Sequence, residues 1–251
     1  MELENKTIIV TGASSGIGAA AALLFATEGA NVVVGARRQT ELEQLVGQIT
    51  HRGGSAACLA GDVTDEGYAT ALVALADEQF GGIDGAFNNA GIMGDMGPVS
   101  QMDIANWRAV IEANLTAAFF AAKAQIPALM RRGSGSIVYT SSFVGFSNGG
   151  MPGMGAYAAS KAGMIGLMQS LASDHAGDGI RINAILPGGT KTAMLGDDPE
   201  AHDFIAGLHP LKRLAAPKEI AQAALFLLSD RSGFMTGTPM AVDGGISVRM
   251  L

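Results

Sequence analysis

The sequence predicts a single α/β domain built on a doubly wound, seven-stranded parallel sheet with helices on both faces. Short β-branched or apolar runs alternate with longer helix-periodic stretches from one end of the chain to the other. The links between them are short, and no long linker, low-complexity tract or internal repeat breaks the alternation. With 251 residues, 48% of them hydrophobic and 16% charged, the chain has the size and apolar content of one domain with a large core.

Strand signals fall at residues 7–10, 31–35, 55–61, 84–88, 136–141, 180–186 and 239–242. The first reads Thr-Ile-Ile-Val and the second Asn-Val-Val-Val-Gly, the β-branched content that strands buried on both faces require. Helical stretches lie between them at 16–28, 40–52, 65–80, 103–131, 156–176 and 217–229. A parallel sheet wound in this way places ligands at the carboxyl ends of its strands, so function is expected in the strand-to-helix loops.

Composition removes several classes. A net charge of −7 argues against a general nucleic-acid binder, which needs a concentrated basic face. Cys58 is the one cysteine, so no internal disulfide forms and a reducing cytoplasm is the expected location. No uncharged apolar run reaches the length of a membrane span, and no basic-then-apolar leader pattern opens the chain. His51, His175, His202 and His209 lack metal-ligand spacing, so no metal is expected.

The loop after the first strand, Thr11-Gly12-Ala13-Ser14-Ser15-Gly16-Ile17-Gly18, is the most informative in the chain. Glycines permit a tight turn and close backbone approach, and the helix that follows offers free amides and a positive dipole end to a pyrophosphate. Its G-x-x-x-G-x-G spacing differs from the usual G-x-G-x-x-G, yet its place between strand and helix makes a Rossmann-type dinucleotide site the expectation. The second strand ends Val34-Gly35-Ala36-Arg37-Arg38, with no carboxylate to hold a ribose 2′-hydroxyl. Two guanidiniums there suit the 2′-phosphate of NADP, with Ser14 or Ser15 helping, and NAD is the less favoured cofactor. The alternative is two solvated surface arginines.

Tyr157 and Lys161 stand four residues apart in a helical stretch, which places phenol and ammonium on one face. An adjacent ammonium favours the phenolate, so a lowered Tyr157 pKa is expected, as acid–base work at neutral pH requires. Ser142 lacks a G-x-S-x-G elbow and a histidine partner, which argues against a nucleophile there. Cys58 reads as a small buried hydrophobe.

Taken together, residues 7–245 resemble the short-chain dehydrogenase/reductase family. The resemblance rests on the glycine loop, Asp62-Val63, Asn88-Asn89-Ala90-Gly91, Asn114, Ser142 with Tyr157 and Lys161, Pro187-Gly188 with Thr192, and Asp243-Gly244-Gly245. It implies that Asp62 bonds the adenine amino group, that Val63 packs beside the ring, and that Asn88, Ala90 and Gly91 line the cofactor while Asn89 stabilises the sheet. Thr190 and Thr192 would hold the nicotinamide carboxamide after the turn at Pro187-Gly188, although both could be ordinary helix caps. Tyr157 would exchange the proton, Ser142 would bind the substrate oxygen, Lys161 would hold the nicotinamide ribose, and Asn114 would hold a water linking Lys161 to solvent. The implied activity is hydride transfer between nicotinamide and a carbonyl or secondary alcohol. An NAD-linked alcohol or sugar dehydrogenase and a non-catalytic NADP-binding regulator are the alternatives, the latter opposed by four intact catalytic positions.

For substrate, Met93, Met96, Met151, Met154 and Met194 suggest an adaptable apolar pocket, or simple gap filling, and residues 193–211 suggest a mobile lid. The general pattern is similar to the 3-oxoacyl-carrier-protein reductase branch. Asp174 and Asp178 stand where such enzymes often place a basic residue, while Arg131 and Arg132 keep that reading open. An enoyl reductase fits less well, because that branch spaces its Tyr and Lys further apart. Stretches 103–131 and 156–176 carry apolar residues on more faces than one sheet can cover, which predicts subunit contacts. The resemblance implies a homotetramer, or else a homodimer, with the 246–251 tail in a second interface.

Overall fold

The computed structural model describes residues 1–147 and 151–248. Residues 148–150 of the loop before Tyr157 and 249–251 of the expected interface tail lie outside the described residues. Seven strands, β1 (Thr7–Thr11), β2 (Asn31–Ala36), β3 (Ser55–Ala60), β4 (Gly85–Asn88), β5 (Gly135–Thr140), β6 (Ile180–Pro187) and β7 (Pro239–Val242), form one sheet in the order β3-β2-β1-β4-β5-β6-β7. Every pairing is parallel. The order reverses between β1 and β4, where the loops that leave the two strands part and open a cleft.

The helices are α1 (Gly16–Thr27), α2 (Gln39–His51), α3 (Glu66–Phe80), α4 (Ile104–Ile111), α5 (Ala117–Arg132), α6 (Gly155–His175), α7 (Pro199–Leu208) and α8 (Pro217–Leu228). Alternate residues of the central strands enter opposite cores: Ile8, Val10, Val32 and Val34 pack with Phe25, Leu42 and Leu225, whereas Ile9, Val33, Ile137 and Ile182 pack with Leu72, Leu129 and Met168. Both faces of the sheet are covered, and that is why its strands are continuous apolar runs.

Two helical expectations are corrected. The stretch expected as one helix over 103–131 contains a five-residue π-helix, Glu112–Thr116, between α4 and α5. The expected lid at 193–211 contains a full helix, α7, whose start is fixed by Asp198 accepting from the Glu200 amide and by Pro199 in the first turn.

At the carboxyl end of β4 the buried Asn88 amide exchanges two hydrogen bonds with Gln125 of α5, at 2.8 and 2.9 Å. This pair fixes the level at which α5 crosses the strand. Replacing Gln125 with Leu takes two hydrogen bonds from the buried Asn88 amide and leaves it the Tyr139 hydroxyl, and we expect a loss of about 1–3 kcal/mol. The measurement is the denaturant midpoint at unchanged m-value; an unchanged midpoint would mean that the pair does not hold the strand end.

Candidate active site

The glycine loop between β1 and α1 is built for close approach. Gly12 and Gly16 adopt left-handed backbone angles, φ +66° and +57°. A Cβ on Gly12 would lie 2.9 Å from Ala90 Cα, and one on Gly18 would lie 2.3 Å from the Gly12 carbonyl oxygen. The first turn of α1, with Ile17 in it, is preceded by Ser15, whose side chain does not cap it, and holds no acidic residue. Amides left open in this way fit a phosphate, so the cradle suits the dinucleotide expected from the sequence.

Around the cradle the expected residues converge in part. From the end of β2, Arg38 Nη2 donates to Ser14 Oγ at 2.9 Å and to the Ser14 carbonyl at 3.3 Å, while Nη1 lies 3.2 Å from Glu41 Oε1. Arg37 beside it is exposed. After β3, Asp62 Oδ1 accepts from the Thr64 amide at 3.0 Å and the Thr64 hydroxyl at 2.9 Å, and the amide bond above all holds this carboxyl below its ordinary range. Val63 follows it.

Asn89 stitches the sheet at the switch point: its amide side chain donates to the Thr11 carbonyl at 3.3 Å and accepts from the Thr140 hydroxyl at 3.2 Å. Thr11 Oγ1 in turn accepts from the Asn89 and Ala90 amides at 3.1 and 3.2 Å. Thr11 and Thr140 escape sequence reasoning, because a threonine at a strand end carries no signal of its own. Asn88 departs from the expectation in one respect: its side chain is committed to Gln125 and is not available to a ligand.

The four catalytic candidates meet above β4 and β5. Lys161 of α6 is 3% exposed, donates to the Thr140 carbonyl at 2.8 Å, and lies 5.5 Å from the centroid of the Tyr157 ring. Ser142, buried in extended backbone just after β5, accepts from the Val144 amide at 3.4 Å. Asn114, 1% exposed in the π-turn, accepts from the Ile92 amide at 2.8 Å and donates to the Ile92 carbonyl and to Ser160 Oγ, both at 2.9 Å. Ser160 then donates to the Tyr157 carbonyl at 2.7 Å. A Cβ on Gly91 would lie 2.9 Å from Asn114 Oδ1 and 3.3 Å from Lys161 Nζ, so only glycine fits where these groups converge.

Two expectations change here. Both N–H groups and one acceptor site of the Asn114 side chain tie the β4 loop to α6, so its main chain, whose hydrogen-bond pattern the π-turn loosens, is the better placed to hold a water. The Tyr157 phenol is pushed up by burial, with a hydrogen bond to Ser142 opposing, rather than lowered by Lys161. Lys161 is itself desolvated, which brings its pKa down to about 8, so it has lost its charge by the pH at which the raised phenol titrates, and its ammonium is turned to Thr140.

The turn after β6 completes the cleft. Pro187 ends the strand, Thr190 Oγ1 donates to the Gly188 carbonyl at 3.0 Å, and a Cβ on Gly16 would come within 3.1 Å of Thr192 Cγ2. Thr192 precedes a short 3-10 turn without capping it through its side chain, which sets aside the reading of Thr192 as an ordinary cap. Phe143, Val144, Met154 and Ile246 form a small buried apolar cluster with Met93, Met151, Tyr157 and Leu208 packed on it, while Met96 and Met194 are exposed. His209 is buried beside this turn. Among the described residues no group of His, Cys, Asp and Glu could hold a metal ion, and no helix is long and apolar enough to cross a membrane.

Comparison with known proteins gives a consistent result. A family model described as enoyl-(acyl carrier protein) reductase matches residues 12–247. The chain is 39% identical to a cyclohexanol dehydrogenase of Acinetobacter sp. (strain SE19) over 243 residues, 97% of this chain and 95% of that one. It is 40% identical to a 3-oxoacyl-[acyl-carrier-protein] reductase of Thermotoga maritima over 249 residues, 99% of this chain and all (100%) of the other. Among solved structures, a candidate NAD(P)-dependent gluconate 5-dehydrogenase from Beutenbergia cavernae with NADP bound at low occupancy superposes with TM-score 0.90 at 35% identity, covering 99% of each chain.

Lys161 supplies a pH test. Its folded pKa of about 8 lies below its ordinary 10.5, so folding is opposed by the full cost at neutral pH and the cost is relieved as pH rises from 8 toward 10.5. Stability of the wild type should therefore rise between pH 8 and 10, before the raised Tyr157 pKa begins to act in the opposite direction. We expect Lys161→Met to lose the upward slope and to be more stable than the wild type at pH 7 by at most about 3 kcal/mol, since the Thr140 carbonyl loses its donor, measured by urea unfolding across this range. A slope that survives the substitution would show that Lys161 does not carry it.

Proposed function

The chain belongs to the short-chain dehydrogenase/reductase family of oxidoreductases, and from that premise we propose that it moves a hydride between NADP and an uncharged secondary alcohol or ketone. The observation that carries this reading is the meeting of Ser142, Tyr157, Lys161 and Asn114 near a glycine loop whose close backbone approach and uncapped helix start suit a phosphate. The dinucleotide supplies the carbon that gives or accepts the hydride. In reduction, Tyr157 gives its phenolic proton to the substrate oxygen while Ser142 hydrogen-bonds that oxygen as charge develops on it. In oxidation, the same phenol, ionised, takes the hydroxyl proton. Lys161, 5.5 Å from the Tyr157 ring, holds the nicotinamide ribose. Asp62, Val63, Ala90 and Gly91 surround the adenosine half, with Asn88 contributing main chain, and Gly188, Thr190 and Thr192 receive the carboxamide end.

NADP is supported by Arg38 and Ser14, already hydrogen-bonded to each other at the point where a 2′-phosphate would sit, with Arg37 free to turn in. Glu41, 3.2 Å from Arg38, is the observation that favours the NAD-linked alternative, since a carboxylate there competes with a phosphate.

The substrate reading rests on charge. Residues 193–211 over the cleft hold Asp197, Asp198, Glu200 and Asp203 and no lysine or arginine, an arrangement that repels an acidic carrier protein or an anionic substrate. The two arginines that had kept a carrier protein in view are spent elsewhere: Arg131 pairs with Asp77 at 3.6 Å and Arg132 with Asp84 at 3.0 Å. Asp84 accepts from the Thr7 amide at the start of β1, so the Arg132 pair lies at the amino edge, opposite the cleft. An apolar floor of methionines under Tyr157 then suits a compact alicyclic alcohol or ketone of the kind named for the Acinetobacter relative. Exposed Ile104, Trp107, Phe119 and Met130 on α4 and α5 support subunit contacts, which we read as those of a homotetramer, and the single cysteine supports a cytoplasmic location.

Fluorescence titration should give NADPH tighter binding than NADH, with the preference abolished by Arg38→Asp and weakened by Arg37→Asp; equal or better NADH binding overturns the clamp. Tyr157→Phe should keep NADPH affinity and lower kcat about 10²- to 10⁴-fold. In a screen, cyclohexanol or cyclohexanone should turn over and a 3-oxoacyl carrier-protein thioester should not; the reverse result would establish the carrier-protein reading.

A further inference from the structure

His209 is 2% exposed, and both of its ring nitrogens are taken by backbone. Nε2 accepts from the Gly189 amide at 2.9 Å, and Nδ1 lies 2.7 Å from the Ile205 carbonyl oxygen. An amide N–H only donates and a carbonyl only accepts, so the ring is neutral with its proton on Nδ1. The two partners belong to different parts of the cleft. Ile205 lies in α7, and Gly189 lies in the turn that carries Thr190 and Thr192 against the glycine loop.

The surroundings are shaped to this ring. A Cβ would come within 2.7 Å of Nε2 from Gly188, 2.9 Å of Cε1 from Gly189 and 3.1 Å of Cδ2 from Gly244. Glycines therefore stand on three sides of the imidazole, and the Gly189 carbonyl continues the connection by accepting from the Ala215 amide at 2.9 Å. By contrast, no residue of α7 is fully buried, and among the described residues its direct packing on the turn is that of Ile205, whose Cγ2 would lie 2.6 Å from a Cβ on Gly189, while the hydrogen bond to the turn comes from His209 just past the helix end. A helix so lightly packed is expected to open locally, and its position then depends on the few contacts that tie it down.

We propose that His209 is a positioning residue: a neutral latch that makes helix α7 and the Gly188–Thr192 turn move as one body, so that filling the cradle with dinucleotide also sets the lid over the substrate. This rests on the reading of the cleft as a nicotinamide and substrate site. The latch couples two sites through the two hydrogen bonds of one ring, and ordinary couplings of this kind amount to about 5- to 150-fold. Substrate affinity, rather than the chemical step, is what it adjusts.

The test is hydrogen exchange of the full chain with and without NADPH, read separately for residues 11–18, 188–192 and 199–208. In the wild type, dinucleotide should slow exchange in all three segments, the last by about tenfold. His209→Asn retains a donor near the Ile205 carbonyl but is too short to reach the Gly189 amide, whereas His209→Gln places an acceptor at the position of Nε2. We expect His209→Asn to keep protection of 11–18 and lose it at 199–208, with KM for the alcohol raised about tenfold and kcat nearly unchanged. His209→Gln should restore both. Retained lid protection in His209→Asn, or a loss that His209→Gln does not reverse, overturns the latch. If His209→Asn does not fold, the wild type decides: dinucleotide must slow 188–192 and 199–208 by the same factor, and unequal factors overturn the proposal. Absence of protection at 11–18 in the wild type would instead overturn the dinucleotide reading beneath it.

Discussion

A lysine ammonium buried without a carboxylate partner is the constraint around which this protein is arranged. Lys161 is 3% exposed, and among the described residues its ammonium has one hydrogen bond, to the Thr140 carbonyl, and no carboxylate partner. Lowering a lysine pKa from 10.5 to about 8 corresponds to roughly 3 kcal/mol held in the folded state against it. Such a charge persists only where the surroundings leave it no other place, and strain of this kind collects at sites that use it.

The surroundings do this by removing atoms and by pinning backbone. A Cβ on Gly145 would lie 2.7 Å from the Lys161 carbonyl carbon, so α6 reaches β5 only because that position is glycine. Ser141 Oγ then donates to the Lys161 carbonyl at 2.8 Å and fixes the helix at that height. From the other side, the π-turn brings Asn114 inward, where it holds Ile92 and Ser160 at once. Thr11, Asn89 and Thr140 link β1, β4 and β5 at their carboxyl ends, so the carbonyl that receives the ammonium is itself held by the sheet. Each contact is modest, and together they leave the ammonium one position.

Much of this was legible before any coordinates. All seven strands stand within a residue of where the apolar runs put them: β1 and β2 carry the β-branched runs of a sheet covered on both faces, whereas β3, β4 and β7 hold at most one β-branched residue each and were legible from apolar content between turns. The glycine loop was legible for the same kind of reason: backbone approaching backbone admits no other residue. What sequence could not give was hydrogen bonding at a distance. Asn114 looked like a poor helix former, and only the fold reveals that it sits in a π-turn and spends its amide on Ile92 and Ser160. Asn88 and Asn89 are adjacent and identical, yet opposite strand faces send one to Gln125 and the other to Thr11. The expected lowering of the Tyr157 phenol failed because helical spacing reports proximity and not solvation: the lysine that should supply the field is buried too. Helix α7 had a readable start in Asp198-Pro199, masked by the glycine and acidic content around it.

The two edges of the sheet divide the labour of rigidity and motion. At the amino edge, Asp84 ties the Thr7 amide to Arg132, and the Arg181 guanidinium donates to carbonyls at the end of α8, including Leu227 at 2.9 Å and Ser229 at 3.1 Å. Cations that cap carbonyls and close ion pairs there join strands to helices in a part of the molecule with no cleft. At the carboxyl edge the ties are glycine contacts, single hydrogen bonds and a lightly buried helix, which open at far lower cost. The buried ammonium stands between these two regimes, held from below by β5 and open above to the cleft. A fixed proton-handling group under a movable roof is what a reaction with two exchanging ligands requires: the chemistry needs unchanging geometry, and the exchange needs the roof to yield.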